Sequence, residues 1–169
     1  MKTITSLLIF TFISLVTVQA QSHSHDDHLG KLLGYYFDMK DALVADDFES
    51  SKSALALFSE EVSTNSEMNN HPEHAQKHGG HHGMMVAAVK TATEAENLEQ
   101  LRNTFDEITT ELLTAIENQG YTDGTLYVQF CPMTNDGDGA KWISKEENIM
   151  NPYYGSMMLK CGSTIETIE

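Results

Sequence analysis

The clearest structural signal in the chain lies in the stretch Leu98-Glu-Gln-Leu-Arg-Asn-Thr-Phe-Asp-Glu-Ile-Thr-Thr-Glu-Leu-Leu-Thr-Ala-Ile-Glu-Asn-Gln-Gly120. Its apolar residues recur at intervals of three and four, at Leu101, Phe105, Ile108, Leu112 and Ile116. This spacing places them on one face of an α-helix. Asn118-Gln-Gly120 is a typical stop signal, because glycine readily adopts the conformation that ends a helix. The stretch therefore predicts a long amphipathic helix.

Similar apolar stripes precede it. Residues 29–45 carry one with the same spacing, at Leu29, Leu32, Leu33, Tyr36, Met39 and Leu43. Asp46 or Asp47 can cap a second helix. The inner face of that second helix would hold Phe48, Leu55, Phe58 and Val62. A further short apolar helix is predicted over residues 84–92.

The predicted fold class is all-α, an antiparallel bundle of about four helices, because short turns between amphipathic helices favour antiparallel neighbours. Residues 126–130 alternate as a short strand would, so the irregular C-terminal Cys/Met segment could form a short β-ribbon. The length suits one domain. We expect a signal peptide at 1–20, a His-containing tail at 21–28 and a single helical domain at 29–169. That domain would include a His-rich loop at 69–83 and a Cys/Met segment at 126–162.

Residues 1–20 have the features of a secretory signal peptide. They carry Lys2, an apolar run over residues 7–18, and Val18-Gln19-Ala20 where a signal peptidase would cleave. The apolar run is too short to span a bilayer. We therefore expect a periplasmic or secreted protein, cleaved near Ala20, whose mature chain does not insert into a membrane.

The chain is strongly acidic, with a formal net charge of −15 at pH 7. Such a charge repels phosphate backbones and anionic lipids. Nucleic acid is therefore excluded as a partner, and cations and basic proteins are favoured.

Both cysteines lie in the last quarter, and each has a methionine close by: Cys131 with Met133, and Met158 with Cys161. Residues two apart in an extended segment, or three apart in a helical turn, project to the same side. Thiolate and thioether together select Cu(I) and other soft ions. The four sulfurs would form a Cu(I) site if the fold brings the two pairs together.

A disulfide between Cys131 and Cys161 is the alternative. An exported protein with two cysteines is expected to pair them. The two states exclude each other, because a sulfur that binds a metal must be a free thiolate.

Five of the eight histidines cluster in one segment, at His71, His74, His78, His81 and His82. Pro72 and the glycines at 79, 80 and 83 interrupt the segment, which predicts a loop. A flexible loop can gather several imidazoles onto one ion. We expect it to bind Cu(II), Zn(II) or Ni(II) more weakly than the sulfurs bind Cu(I). The alternative is a polar, disordered insertion without a ligand.

Four ordered motifs carry a family resemblance: Tyr127-Val-Gln-Phe-Cys-Pro-Met133, Gly139-Ala-Lys-Trp-Ile-Ser-Lys145, Ile149-Met-Asn-Pro-Tyr-Tyr-Gly155 and Met158-Leu-Lys-Cys-Gly162. They resemble a family of exported domains of unknown function, found alone or at the C-terminus of periplasmic adaptor subunits of copper and silver efflux pumps of the resistance-nodulation-division type. The similarity runs from about Leu29 to the end and is strongest from Leu126 on.

The resemblance implies a helical domain of heavy-metal handling systems and no particular reaction. Its recurring sulfur positions correspond to Cys131, Met133, Met158 and Cys161. The His-rich segment is not part of the family pattern.

The predicted function is a periplasmic copper or silver binding protein that acts as a metal buffer or chaperone linked to efflux. Its partners would be metal ions and periplasmic components of an efflux system. The alternative is a non-catalytic, disulfide-stapled interaction module of an efflux or envelope assembly, whose acidity selects basic partners. An enzyme is not expected, because the chain has no Ser/His/Asp order, phosphate loop, helical His-Glu-x-x-His or Cys-x-x-Cys motif.

Overall fold

The computed structural model describes residues 23–64 and 72–169, with side chains from His28 to Thr64 and from His82 onward. In this part of the chain four α-helices come first: α1 (His23–Val44), α2 (Phe48–Thr64), α3 (Pro72–Thr93) and α4 (Leu98–Gln119). Each helix contacts the next, and α1 contacts α4, which closes the bundle. Residues 45–47 and 94–97 are links short enough to force antiparallel neighbours. The predicted helical bundle is confirmed.

The predicted apolar stripes form the core of the bundle. Every stripe residue of α1 and α4 is buried, as are Leu55, Phe58 and Val62 of α2, while Phe48 is partly buried and packs against the same core. The Tyr36 ring stacks on Phe105 with 4.9 Å between ring centroids. The three-and-four spacing thus identified the buried faces of these helices.

The helix ends use side-chain caps. Asp47 caps α2, since its Oδ1 accepts a hydrogen bond from the Ser50 N–H at 3.0 Å. Asn97 caps α4 by accepting from the Gln100 N–H at 3.0 Å. The Gly120 N–H donates to the carbonyl of Ile116 at 2.8 Å and ends α4 as predicted.

The C-terminal part is a sheet, which corrects the all-α prediction. Among the described residues, β1 (Leu126–Cys131), β2 (Ala140–Ser144) and β3 (Ser163–Ile168) form one antiparallel sheet in the order β2-β1-β3. Only β1 had a strand signal. β2 is almost entirely buried and β3 is almost entirely exposed, so neither has the alternation that reveals a half-buried strand.

The outer edge of β2 is closed by side chains of the bundle. The Ile143 N–H donates to the Tyr36 hydroxyl at 3.0 Å, and the Lys141 N–H donates to Oδ1 of Asp106 at 3.1 Å. The Tyr36 hydroxyl in turn donates to Oγ1 of Thr109 at 2.8 Å, because the Thr109 proton goes to the carbonyl four residues back. These bonds fix the sheet on α1 and α4.

Two predicted boundaries also need correction. α1 begins at His23, so the backbone of 23–28 is helical and not a separate tail. His28 lies against α2, with its Nδ1 2.8 Å from Oε1 of Glu61. The predicted loop at 69–83 is helical from Pro72 on. The predicted signal peptide at 1–20 lies outside the described residues, and none of the described helices has the length and apolar character to cross a membrane.

Candidate metal centre

The sheet brings the two cysteines together. Cys131 is the last residue of β1, and the β1–β3 register pairs Phe130 with Ser163. Cys161, two positions before β3, therefore arrives beside the end of β1. The two Sγ atoms lie 2.9 Å apart, with Cys131 buried and Cys161 partly exposed. Thirty positions of sequence separate this pair, so only the strand pairing creates it.

Asn151 shapes the loop that delivers Cys161. This residue is buried, and its Nδ2 donates to the carbonyl of Cys161 at 2.9 Å. Its Oδ1 accepts from the N–H groups of Tyr153 and Tyr154 at 2.8 and 3.2 Å. Its own N–H donates to the carbonyl of Leu159 at 2.9 Å. One side chain thus closes the loop on itself.

The two thiols are electrostatically unequal. Burial raises the pKa of Cys131, but hydrogen bonds to its sulfur outweigh burial, and the pKa falls below that of an ordinary cysteine. The largest contribution comes from the Cys161 thiol, followed by the Met133 N–H and the Asn151 side chain. The pKa of Cys161 is raised, first because its thiol proton is shared with Cys131 and then by burial. The first deprotonation therefore belongs to the two thiols together, and the resulting negative charge lies on the Cys131 sulfur.

The methionines are arranged differently from the prediction. β1 ends at Cys131, and residues 132–133 form a turn. Residues two apart project to the same side only in an extended segment, so the prediction that Cys131 and Met133 share a side does not apply. Met133 is 57% exposed and lines a cleft together with Met157. Met158 is 37% exposed, and its carbonyl accepts from the Cys161 N–H at 2.9 Å, as in the predicted helical turn.

The His-rich segment begins α3. Pro72 is its first helical residue, a position where proline is favoured because a first-turn N–H has no helical partner. Each internal glycine costs about 1 kcal/mol relative to alanine, and this cost is offset by packing of the later half of α3, which buries Met85, Ala88 and Val89. Tertiary contacts therefore outweigh the tendency of the glycines to interrupt the helix.

The predicted histidine site falls partly outside the described residues. His71 lies outside the described residues, as do the side chains of His74, His78 and His81. The backbone at 74, 78, 81 and 82 is helical, and His82 is partly buried. In the described part of the chain, His, Cys, Asp and Glu side chains form no group of three or more that could hold a metal ion.

Trp142, the only tryptophan, is buried and packs against Gly162, the residue after Cys161. A Cβ on Gly162 would lie 2.8 Å from Cη2 of Trp142. The indole thus packs within one residue of Cys161. Its fluorescence is a natural reporter of events at the two sulfurs.

Arg102 joins this region to the bundle. Its Nε donates to the carbonyl of Pro152 at 2.8 Å, and its Nη2 donates to the carbonyl of Leu43 at 2.6 Å and to Oδ1 of Asp46 at 2.6 Å. The other Asp46 oxygen accepts from the Ser156 N–H at 3.1 Å. The hydrogen bonds that the Asp46 carboxylate accepts lower its pKa to about 2, and the bond from Arg102 has the largest effect.

A family model described as "Protein of unknown function (DUF3347)" matches residues 32–124. The match covers most of α1, all of α2 to α4 and the link before β1, which is more than half of the chain. No curated protein and no solved structure matches the chain. The chain therefore belongs to this family of proteins of unknown function.

Proposed function

We propose that the protein binds a soft monovalent cation, Cu(I) or Ag(I), at Cys131 and Cys161, and acts as a periplasmic metal buffer or chaperone linked to efflux. The observation that carries the proposal is the pair of adjacent thiols, one with a lowered pKa. A thiolate is the form of cysteine that binds metal, so a lowered pKa prepares the site. Metal binding would release the proton that the two sulfurs share.

The geometry of the pair is compatible with a bridging ion after a small movement. Two thiolates at about 2.3 Å from one ion lie farther apart than the observed 2.9 Å. Cys161 can supply this movement, because it is partly exposed and lies in a loop, whereas Cys131 is buried at the end of a strand.

Methionine thioethers would complete the ligand set. We assign this role to Met133 and Met158, both accessible at the surface. An all-sulfur set favours Cu(I) and Ag(I) over harder ions. The histidines at 71, 74, 78, 81 and 82 would bind Cu(II), Zn(II) or Ni(II) more weakly. The net charge of −15 attracts cations to either site.

A disulfide-stapled interaction module is the second candidate. Two sulfurs at 2.9 Å need little movement to oxidise to a disulfide. Closing a loop of this length would stabilise the fold by about 3.5 kcal/mol in the chain-entropy model. The protein would then dock on an efflux or envelope component and would not carry metal.

Mass spectrometry with thiol alkylation separates the two candidates. The mature protein is isolated from the periplasm without reductant, and is then reduced and given one equivalent of Cu(I). We expect one bound copper that protects both cysteines from alkylation. A Met133→Ala, Met158→Ala double variant should lose that protection, and Met84→Ala should keep it, because Met84 is equally exposed but lies on α3.

A protein that is two hydrogens light as isolated, and that takes up no copper after reduction, would overturn the metal proposal and support the stapled module.

A further inference from the structure

Two exposed methionines, each within four positions of a cysteine in the sequence, line one cleft. Met133 is 57% exposed and Met157 is 76% exposed, so neither side chain is used for core packing. Both line one cleft of about 740 Å³ between the turn after β1 and the loop that leads to Cys161. The sequence had paired Met133 with Met158.

Tyr154 holds the two methionine segments side by side. Its hydroxyl donates to the carbonyl of Met133, and its own carbonyl accepts from the Met157 N–H at 3.2 Å. The Tyr154 N–H is in turn held by the buried Asn151. The backbone positions of the two thioethers are therefore fixed by the same loop that places Cys161, although 24 positions of sequence separate them.

The charges around the cleft favour a cation. Two carboxylates, those of Glu99 and Asp136, line it. The guanidinium of Arg102 also reaches the cleft, but it is bound to Asp46 and to two backbone carbonyls. Thioether sulfur then determines which cation is selected, because it is a ligand for soft ions.

We propose that Met133 and Met157 form an outer, solvent-accessible thioether site for Cu(I) or Ag(I), distinct from the cysteine pair, at which the ion is captured before it reaches the thiolates. This inference rests on the proposed function for the kind of cation. Met133 would serve both sites: it pairs with Met157 when the ion is captured in the cleft, and it joins Cys131, Cys161 and Met158 when the ion moves to the thiolates.

The test is a titration of the reduced mature protein with Ag(I), followed by NMR of methionine ε-methyl groups labelled with ¹³C. Signals are assigned from single Met→Leu variants, a replacement that keeps side-chain volume. We expect the Met133 and Met157 signals to move together, while the Met84 signal stays. Met133→Leu or Met157→Leu should each weaken silver binding at the cleft by about tenfold or more, because a linked second donor is lost. Met158→Leu should leave it unchanged.

Three results would overturn the inference. The Met133 signal could move with Met158 while Met157 stays. One cleft methionine could respond to silver with unchanged affinity after the other is replaced. The exposed Met84 signal could move at the same silver concentration, which would show non-selective binding.

The cysteine pair is followed separately in the same titration, through thiol protection and Trp142 fluorescence. If the cleft methionines respond while the cysteines remain open to alkylation and the fluorescence is constant, the thiolate site fails and the outer site stands. If the cysteines are protected and Met133 responds while Met157 does not, the outer site fails and the thiolate site stands.

Discussion

The helical bundle of residues 23–119 and the segment of residues 126–168 are held together by different interactions. The bundle is packed by apolar stripes that repeat along each helix. The later segment also contributes apolar residues to this core, but its loops are fixed by single contacts. Those of Arg102 and Gly162 join positions far apart in sequence, and those of Asn151 lie within its own loop. Local periodicity therefore specifies the bundle, whereas the segment that carries the sulfurs is specified by a few non-local polar and steric contacts.

Glycine substitutions should separate the two regions most strongly. Gly162 has φ +134°, and a Cβ there would lie 2.8 Å from the carbonyl oxygen of Phe130 and from the Trp142 ring. We expect Gly162→Ala to lower the free energy of unfolding by about 3 kcal/mol, from backbone strain and overpacking. Gly30 in α1 has open space around it, so Gly30→Ala should raise stability by about 0.5–1 kcal/mol. Urea unfolding followed by circular dichroism measures both.

If Gly162→Ala and Gly30→Ala changed the free energy of unfolding by the same amount, the proposed difference between the bundle and the later segment would be contradicted.

Arg102 is the main polar link between the regions, and its loss should have the next largest effect. Arg102→Met leaves the carbonyls of Leu43 and Pro152 and the Asp46 carboxylate without this partner, so we expect a loss of about 2 kcal/mol at pH 7. The same urea experiment measures it. A loss below about 0.5 kcal/mol would mean that Arg102 is not the main polar link between the two regions.

The Asp46 pKa adds a dependence on pH. Folding lowers this pKa from 3.8 to about 2. The ionised Asp46 carboxylate therefore stabilises the fold above pH 4, and this stabilisation is lost as the pH falls toward 2. The side chain is 35% exposed, and screening reduces this contribution to about 1 kcal/mol. The stability gap between wild type and Asp46→Asn should therefore narrow by about that amount between pH 5 and pH 2. A constant gap would show that the ion pair does not lower this pKa.

Tyr36→Phe should give the smallest effect, because it removes one hydroxyl at the boundary. The Ile143 N–H loses its acceptor and the Thr109 hydroxyl loses a donor, which costs about 1 kcal/mol. Tyr35 is the matched control, since its hydroxyl has no hydrogen bond to the described residues and Tyr35→Phe should be close to neutral. Hydrogen exchange of the Ile143 amide should accelerate in Tyr36→Phe alone. Unchanged exchange would show that α1 does not close the edge of β2.

The sequence predicted what depends on local spacing and missed what depends on distant contacts. Local spacing and residue type predicted the apolar stripes of α1, α2 and α4, the cap at Asp47 and the helix end at Gly120. β3 was not, because Ser163–Ile168 is an exposed edge strand whose hydrogen bonds with β1 define it. The helical start of α3 was hidden by Pro72 and the glycines, which normally end helices.

The candidate site shows the same division. The sequence identified Cys131 and Cys161, and the sheet places their sulfurs in contact. The role of Asn151 in shaping the loop, and the position of Met157 beside Met133, arise from the folded loop and have no local signal.

The family assignment and the resemblance rest on different parts of the chain. The family model matches residues 32–124, which is the helical part. The resemblance to efflux-linked domains lies mainly in the motifs at 127–162, which follow the matched residues.

Copper K-edge X-ray absorption of the reduced mature protein, loaded with one equivalent of Cu(I), tests the central proposal most directly. It reports the atoms bound to the ion. We expect a first shell of sulfur only, and loss of bound copper in Cys131→Ser, Cys161→Ser. A first shell of nitrogen or oxygen, unchanged by the cysteine substitutions, would place copper on the histidines and contradict a thiolate site.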